Sequence, residues 1–455
     1  MKYGIVFLVL LVTLTRSVFA AEVESPSGVN AWLSTNDAQL DRLGTPLLFD
    51  DGNFSLTFSG EFRYRLELRD NFNFNSSFED DAVNLLRSRL GVDVKFKKHV
   101  RVFIQGQDSE SFASQTVHRS SAFVNRLDLH QLFAEISSPW DTLPLSVQVG
   151  RQELSYGDQR FVGAFGWSNV ARVFDAVKLV YKPSKRIKFD TFFSQVVPVN
   201  KGQMDTANHH ENFWGMYLET KPTENHTFDT FLFIRHDRNN EIKGEYSYQR
   251  GQLKEYTLGN HFKGKKSNLD YGIEWAWQFG SRAHNLIEAW ALHTELGYTF
   301  DLIPWSPRMR TEFNHGSGDD HKSDGRYGNF DNLFPTNHLH YGYMDFASLR
   351  NINNLKFGLE VKPNERVKLS ADYHLFFLDT NKSDWFNAGQ TVIRSTTDGA
   401  GKSIGGEIDL TCHIKISQHI KLLMGFSHFF TGDFIDDTGT NDDANFFYVQ
   451  PAVTF

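Results

Sequence analysis

The sequence predicts an all-β fold: an antiparallel transmembrane β-barrel of about 18 strands, with short periplasmic turns on one rim and long extracellular loops on the other. Three observations predict it. The chain is rich in aromatic residues yet polar on average. Apolar and polar residues alternate with period two over membrane-length stretches. The links between those stretches are alternately short and long.

The 455 residues include 42 Phe, 15 Tyr and 9 Trp, so that aromatics are 15% of the chain, yet the mean hydropathy is −0.42. A wall with lipid on one side and water on the other has this pairing. The net charge of −8 does not favour a nucleic-acid partner. The single Cys412 excludes an intrachain disulfide and has no Cys partner for a zinc site.

The chain starts with Lys2 and an apolar run from Gly4 to Leu14, followed by Ser17, Val18 and Ala20. This is the layout of a secretory signal, with cleavage expected after Ala20. The run is too short for a membrane helix, which takes roughly 20 residues. The expected division is a signal peptide at 1–20, an N-terminal periplasmic segment at 21–53 and a barrel at 54–455. No later window is long and apolar enough for a membrane helix, so entry into a membrane requires a closed barrel.

The alternation is plainest in three places. Phe54, Leu56, Phe58, Phe62, Tyr64, Leu66 and Leu68 alternate with Ser55, Thr57, Ser59, Glu61, Arg63, Arg65 and Glu67. Leu269, Tyr271, Ile273, Trp275, Trp277 and Phe279 alternate with Asp270, Gly272, Glu274, Ala276 and Gln278. Val367, Leu369, Ala371, Tyr373, Leu375 and Phe377 do so with Lys368, Ser370, Asp372 and His374. A strand segregates such residues onto two faces and a helix does not. A soluble sandwich or solenoid would not place aromatics at both ends of each apolar face and charges along the other.

Strands are expected near 54–69, 84–97, 100–108, 127–137, 145–152, 172–182, 186–197, 212–221, 227–238, 253–263, 268–279, 285–300, 307–316, 353–362, 366–379, 403–416, 419–432 and 445–455. Three of the short links repeat one formula, beginning at Lys182-Pro183, Lys221-Pro222 and Lys362-Pro363, with polar followers that suit a turn. The long links are 70–83, 109–126, 153–171, 198–211, 239–252, 317–352, 380–402 and 433–444; only the link at 280–284 is brief. This alternation implies an even strand count with both termini periplasmic. The last strand, with Phe447, Val449, Val453 and Phe455 on one face, resembles the aromatic C-terminal strand through which barrel-assembly machinery recognises outer-membrane proteins.

With apolar positions facing lipid, parity assigns Glu61, Arg63, Arg65, Glu67, Arg87, Arg89, Asp93, Arg101, Gln105, Arg235, Glu274, Glu295, Arg308, Arg310, Glu312, Lys356, Glu360 and Asp372 to the lumen. Arginine, always charged and fork-shaped, suits carboxylate and phosphate passengers. The same arginines can also rivet the inner wall through Arg–Glu pairs, and both readings can hold together.

Two segments resemble a known family. One runs from Gly150-Arg151-Gln152-Glu153 through Tyr156-Gly157-Asp158-Gln159-Arg160 to Trp167-Ser168-Asn169 and Arg172-Val173-Phe174-Asp175. The other comprises Glu312–Asp319, Phe330–His338 and Tyr341–Asp345. Together they resemble the alginate-export family of outer-membrane proteins, from about Phe54 to Phe455. The resemblance implies a monomeric 18-stranded barrel with a basic pore for an anionic polyuronate. The loop after Arg151 has the glycines and polar residues to enter and narrow the lumen. Arg151, Glu153, Asp158, Arg160, Arg172 and Asp175 are its candidate constriction charges, or else a salt-bridge network that holds it.

Other motifs are weaker. Asp319, Asp320 and Asp324, and the run Asp433, Asp436, Asp437, Asp442 and Asp443, offer oxygen ligands for Ca²⁺ without EF-hand spacing; no other cofactor is expected. His209-His210 and His338-Leu339-His340 lack a carboxylate ligand set. Ser427-His428 is the only pair that suggests hydrolytic chemistry, and adjacent residues of a strand point to opposite faces. The expected function is passive passage of an anionic polysaccharide through a non-enzymatic outer-membrane channel. The alternative is a porin taking up small organic anions or sugars.

Overall fold

The computed structural model describes residues 39–455 apart from 78–79, 113–120, 141–142, 201 and 246–248. The expected signal peptide, its cleavage after Ala20 and most of the 21–53 segment lie outside the described residues.

One sheet of 20 strands consists of 18 long strands and two short ones, Leu47–Phe49 and Arg326–Tyr327. The long strands are β1 (Phe54–Asp70), β2 (Asp81–Phe96), β3 (Val100–Phe112), β4 (Asn125–Ser137), β5 (Leu145–Gln152), β6 (Phe174–Ser184), β7 (Ile187–Val196), β8 (Glu211–Thr223) and β9 (His226–Lys243). They continue as β10 (Arg250–Lys266), β11 (Leu269–Arg282), β12 (Asn285–Thr299), β13 (Arg308–Gly316), β14 (Ile352–Asn364), β15 (Val367–Phe377), β16 (Ser403–Lys415), β17 (Ile420–Thr431) and β18 (Ala444–Thr454). Each pairs antiparallel with the next, and β18 pairs with β1, placing Thr454 opposite Glu61. The sheet is therefore a closed antiparallel barrel without a free edge.

The seam is finished by Phe455. Its backbone exchanges two hydrogen bonds with Gly60, of 3.0 and 3.1 Å. Its ring lies where a Cβ on residue 60 would be, so a larger residue there would displace the ring.

Strand lengths follow the alternation, with differences at the ends. The Lys-Pro pairs expected as turns lie within β6, β8 and β14, one residue before their ends at Ser184, Thr223 and Asn364, and the turns are the polar residues that follow. Proline lacks an N–H and is tolerated at such a strand end, where pairing already slips, as between Tyr181 and Ser184 and between Val361 and Asn364. β9 and β10 run further than their alternation predicts. The ladder slips after Asp237 and resumes at Ile242 opposite Gly251.

Outward positions such as Phe62, Leu90, Ile104, Met216, Trp277 and Phe357 are exposed. The inward face is mostly polar on β1–β2 and on β10–β16, with buried apolar residues toward the long-loop rim, among them Val83, Leu85, Leu253, Ile287 and Phe376. On β7–β9 it is aromatic: Phe192, Phe213, Tyr217, Phe231 and Phe233 point inward and are buried. The expectation of a wholly polar lumen is corrected there, because loops from the long-link rim supply apolar partners. A six-residue helix, α1 (Asp433–Thr438), buries Phe434 and Ile435 in the same core. At the opposite rim Asp41 accepts hydrogen bonds from the Gln418 amide, both 2.7 Å, and pairs with His419 at 3.0 Å.

Candidate functional site: a lumen crossed by two loops

The 153–173 loop crosses the barrel. At one end it meets the arginines of β1 and β2. Arg63 donates to the carbonyls of Gly166 (2.8 Å) and Ser168 (3.0 Å). Arg87 donates to the same two, at 3.1 and 3.0 Å. Arg65 donates to the Trp167 carbonyl at 2.8 Å and sits over the Trp167 ring. Asn169 is fully buried, and its amide reaches the carbonyls of Leu86, Glu110 and Phe123. These groups converge because β1 and β2 are in register, with Arg63 opposite Arg87 and Glu61 opposite Arg89.

At its other end the loop places Arg160 among β11, β12 and β13. The buried guanidinium approaches Glu274 (3.4 Å), Glu312 (3.9 Å) and His293 Nε2 (2.9 Å). Asp158 pairs with Lys263 (2.5 Å) and His261 (3.4 Å) of β10. Burial pushes the Asp158 carboxyl up, but hydrogen bonds and charge from His261 and Lys263 outweigh it and hold the group well below the usual carboxylate range.

The 317–351 loop is zipped to the first. Phe334 N donates to Phe161 O (2.9 Å), Gly163 N to Phe334 O (2.8 Å) and Asn332 Nδ2 to Arg160 O (2.7 Å). Its Asp331 pairs with Arg235 of β9 at 3.0 Å, and Met344 N donates to Glu407 of β16 at 2.9 Å. Phe161 packs on Phe231 and Phe330, while Phe334 packs on Phe174 and Phe213. The lumen thus contains an apolar core enclosed by its own barrel.

The expected site residues are distributed as follows. Arg63, Arg65 and Arg87 are buried against the loop backbone. Arg89 bonds Gln107 (2.6 Å) and pairs with Glu153 (3.5 Å), which also holds His130. Arg101 pairs with Asp93 at 2.9 Å and remains 37% exposed. Arg235 pairs with Glu211 (2.5 Å) as well as Asp331. Arg308 pairs with Asp270 and Glu295, and Arg310 with Asp372 at 2.8 Å. Arg172 donates to the carbonyls of Gly163 and Pro335 and makes no ion pair among the described residues. Burial, then repulsion from Arg235, pushes its guanidinium down to about 10.

Arg151 departs from the expected lumen face. It has the outward parity of Val147 and Val149 and lies opposite Asp175, which it holds at 2.8 Å. The 197–210 loop covers this pair, and Asp205 O accepts from Arg151 at 3.0 Å. Polarity alone suggested the lumen; loop cover explains a charged pair on the outer face. Lys263, which holds Asp158, and Lys178 are inward cations that escaped the sequence reading. Lys178, opposite Gln148 on β5, makes no ion pair among the described residues and faces the short-turn half of the lumen. Its parity with Phe174 and Ala176 was the available signal.

A family model described as alginate export matches residues 54–449. The chain belongs to the alginate export family. No curated protein matches it closely. Among solved structures, this alginate-export barrel is similar to OccAB1 of Acinetobacter baumannii, with TM-score 0.59 and 12% identity over 91% of this chain and 99% of that one. It is also similar to OccK11 (OpdR) of Pseudomonas aeruginosa, with TM-score 0.57 and 11% identity over 91% and 98%. OccK5 (OpdH) of the same organism gives 0.55 and 11% over 88% and 98%. At these identities the likeness concerns the fold, an 18-stranded outer-membrane barrel.

In this member of the family, Ser427 Oγ is bonded to Asp409 inside the wall, whereas His428 bonds Asn445 at 2.8 Å from the neighbouring, opposite-facing position. Hydroxyl and imidazole do not meet. His293, Glu295 and Glu312 approach one another. Arg160 lies 2.9 Å from His293 and Lys356 lies 3.3 Å from Glu312, so cationic side chains already neutralise the group. Several loop aspartates cap backbone amides: Asp437 that of Gly401, Asp442 that of Ser76 and Asp443 that of Thr431. His209 bonds Gln195, His338 stacks on Trp167, and His340 bonds Asp158 O.

Proposed function

We propose that this barrel is a passive, non-catalytic channel for an anionic, alginate-like polyuronate, with its long-loop rim extracellular and its short-turn rim periplasmic. The proposed working unit is a monomer, since one chain closes its own seam and needs no second copy to complete the wall. The observation that carries the reading is the surplus of guanidinium on β1 and β2. Arg63, Arg65, Arg87 and Arg89 have ion pairs only with Glu61, Glu67 and Glu153, and Arg63 has none among the described residues. A low-dielectric wall focuses such a surplus, and anions are drawn toward it. Arg172, also without an ion pair among the described residues, adds to it where the two loops meet. Arg101, Arg308 and Arg310, each paired with carboxylates, line the approach from the periplasmic side, with Lys178 between.

A second reading is a porin for small organic anions or sugars. The apolar core that the two loops build across the lumen favours it, because a narrowed passage suits a small solute.

The test is conductance in planar bilayers under a salt gradient. The wild type should prefer anions, and oligouronates should block it more than neutral oligosaccharides do. Arg63→Glu with Arg89→Glu should lower or reverse the preference. An unchanged reversal potential would reduce these arginines to a structural role. Block by monomeric acids but not by oligomers would favour the second reading.

A further inference from the structure

The barrel's outer wall carries a groove across β7–β10. It has a volume of about 440 Å³, within the range of small-molecule sites. Trp214, Met216, Leu232, Ile234 and Tyr256 form its apolar sides. These residues alternate with the inward Phe213, Tyr217, Phe231 and Phe233, so the groove faces the bilayer and not the lumen. Its depth has a simple origin: Thr191 is the small residue opposite Met216, beside the packed pair Phe193 and Trp214.

The end nearer the long-loop rim is chemically different. His236 and Lys254 line the groove there and stand directly opposite one another in the ladder, one step beyond the pair Ile234 and Tyr256. His236 Nε2 is buried without a hydrogen-bond partner. Lys254 is exposed and makes no ion pair among the described residues. Arg238 follows on the same face of β9, with one Nη2 bonded to His209 O. No carboxylate lines the groove. Below this pair, Tyr256 stacks on Phe279, its partner across the β10–β11 ladder.

We propose that this groove binds one molecule of a phosphorylated glycolipid of the outer leaflet. An acyl chain lies along Trp214, Met216 and Leu232, and a headgroup phosphate accepts hydrogen bonds from Lys254 Nζ and His236 Nε2. The cationic end fits an anionic headgroup, and the apolar trough beneath it fits a chain, which a soluble anion lacks. The placement rests on the orientation proposed above; the binding itself does not.

The full-length barrel is reconstituted in phosphatidylcholine nanodiscs doped with bis-phosphorylated lipid A, with lipid A stripped of phosphate, or with phosphatidylglycerol. Retained lipid is counted by native mass spectrometry. The wild type should keep one bis-phosphorylated lipid A, about ten-fold more strongly than the stripped form. The double variant Lys254→Gln, His236→Ala should lose that preference, and Lys254→Arg should keep it. Heat-modifiable mobility verifies that each barrel is folded. Equal retention by the double variant would overturn the proposal, leaving ordinary annular lipid. Equal retention of phosphatidylglycerol would overturn the glycolipid assignment.

Discussion

The Arg65 guanidinium lies 3.7 Å from the centre of the Trp167 ring, and its Nη1 donates to the carbonyl of that same tryptophan at 2.8 Å. His338 covers the opposite face of the indole at 3.8 Å. One side chain of β1, one of the 153–173 loop and one of the 317–351 loop thus form a stack that fixes how far each loop enters the lumen.

Removing the middle of that stack should free both loops. Trp167→Ala should raise single-channel conductance and current noise, and it should expose the 153–173 loop to protease. A desolvated cation–π contact is worth about 2 kcal/mol, enough to shift a loop that is otherwise closed by some thirty-fold. Unchanged conductance and cleavage would show that the loop is held without the stack.

Arg160 is the loop's second anchor. Arg160→Met would leave Glu274 and Glu312 facing one another with one cation fewer. Breaking a buried charge cluster from one side costs about 3–5 kcal/mol. Denaturant unfolding should show that loss, and Glu312→Gln in the same chain should recover part of it.

Asp205 and Asp128 make the 197–210 loop sensitive to pH. Burial, together with the neighbouring Asp128 carboxylate, pushes Asp205 up to about 6, despite the Asn200 amide that it accepts. A carboxyl raised in the folded state stabilises that state fully below its ordinary value near 4. The contribution is lost as pH rises through about 6. Hydrogen exchange at Asn200 and Asp205 should therefore quicken, relative to intrinsic rates, between pH 5 and 7. Asp128→Asn should flatten the dependence, and a flat wild-type profile would refute it.

Asp158 behaves in the opposite sense. Its carboxyl is held low, so its contribution is present above pH ~4 and is lost only as pH falls through its folded value. Asp158→Asn should destabilise the loop equally at pH 5 and pH 6, as read by thermal unfolding. A cost present at pH 6 and absent at pH 5 would show that the pair with Lys263 and His261 does not hold the charge in place.

The barrel was legible because each strand records its two environments residue by residue. Phe54 to Leu68 carries both faces in one line, and link lengths order the strands into a closed ring. Parity failed where a third party alters the environment. Arg151 and Asp175 look like lumen residues until the 197–210 loop is seen to cover them on the outside. Phe213, Phe231 and Phe233 belong to β8 and β9, whose two faces are both apolar, so hydropathy cannot say which face is which. Their partners Phe161 and Phe334 lie far away in sequence. The role of Arg63 was half legible: charge and parity gave its direction, but the Gly166 carbonyl it holds comes from a loop with no local signal.

The zipped loops and the seam share one property. Arg63 donates to a carbonyl 103 residues later, and the Arg160 carbonyl accepts from a side chain 172 residues later. The seam that closes the wall, Glu61 against Thr454, spans more of the chain still. Long-range contacts of this kind are slow to form. The wall and its plug therefore both await meetings between distant parts of the sequence, and a truncated chain can complete neither.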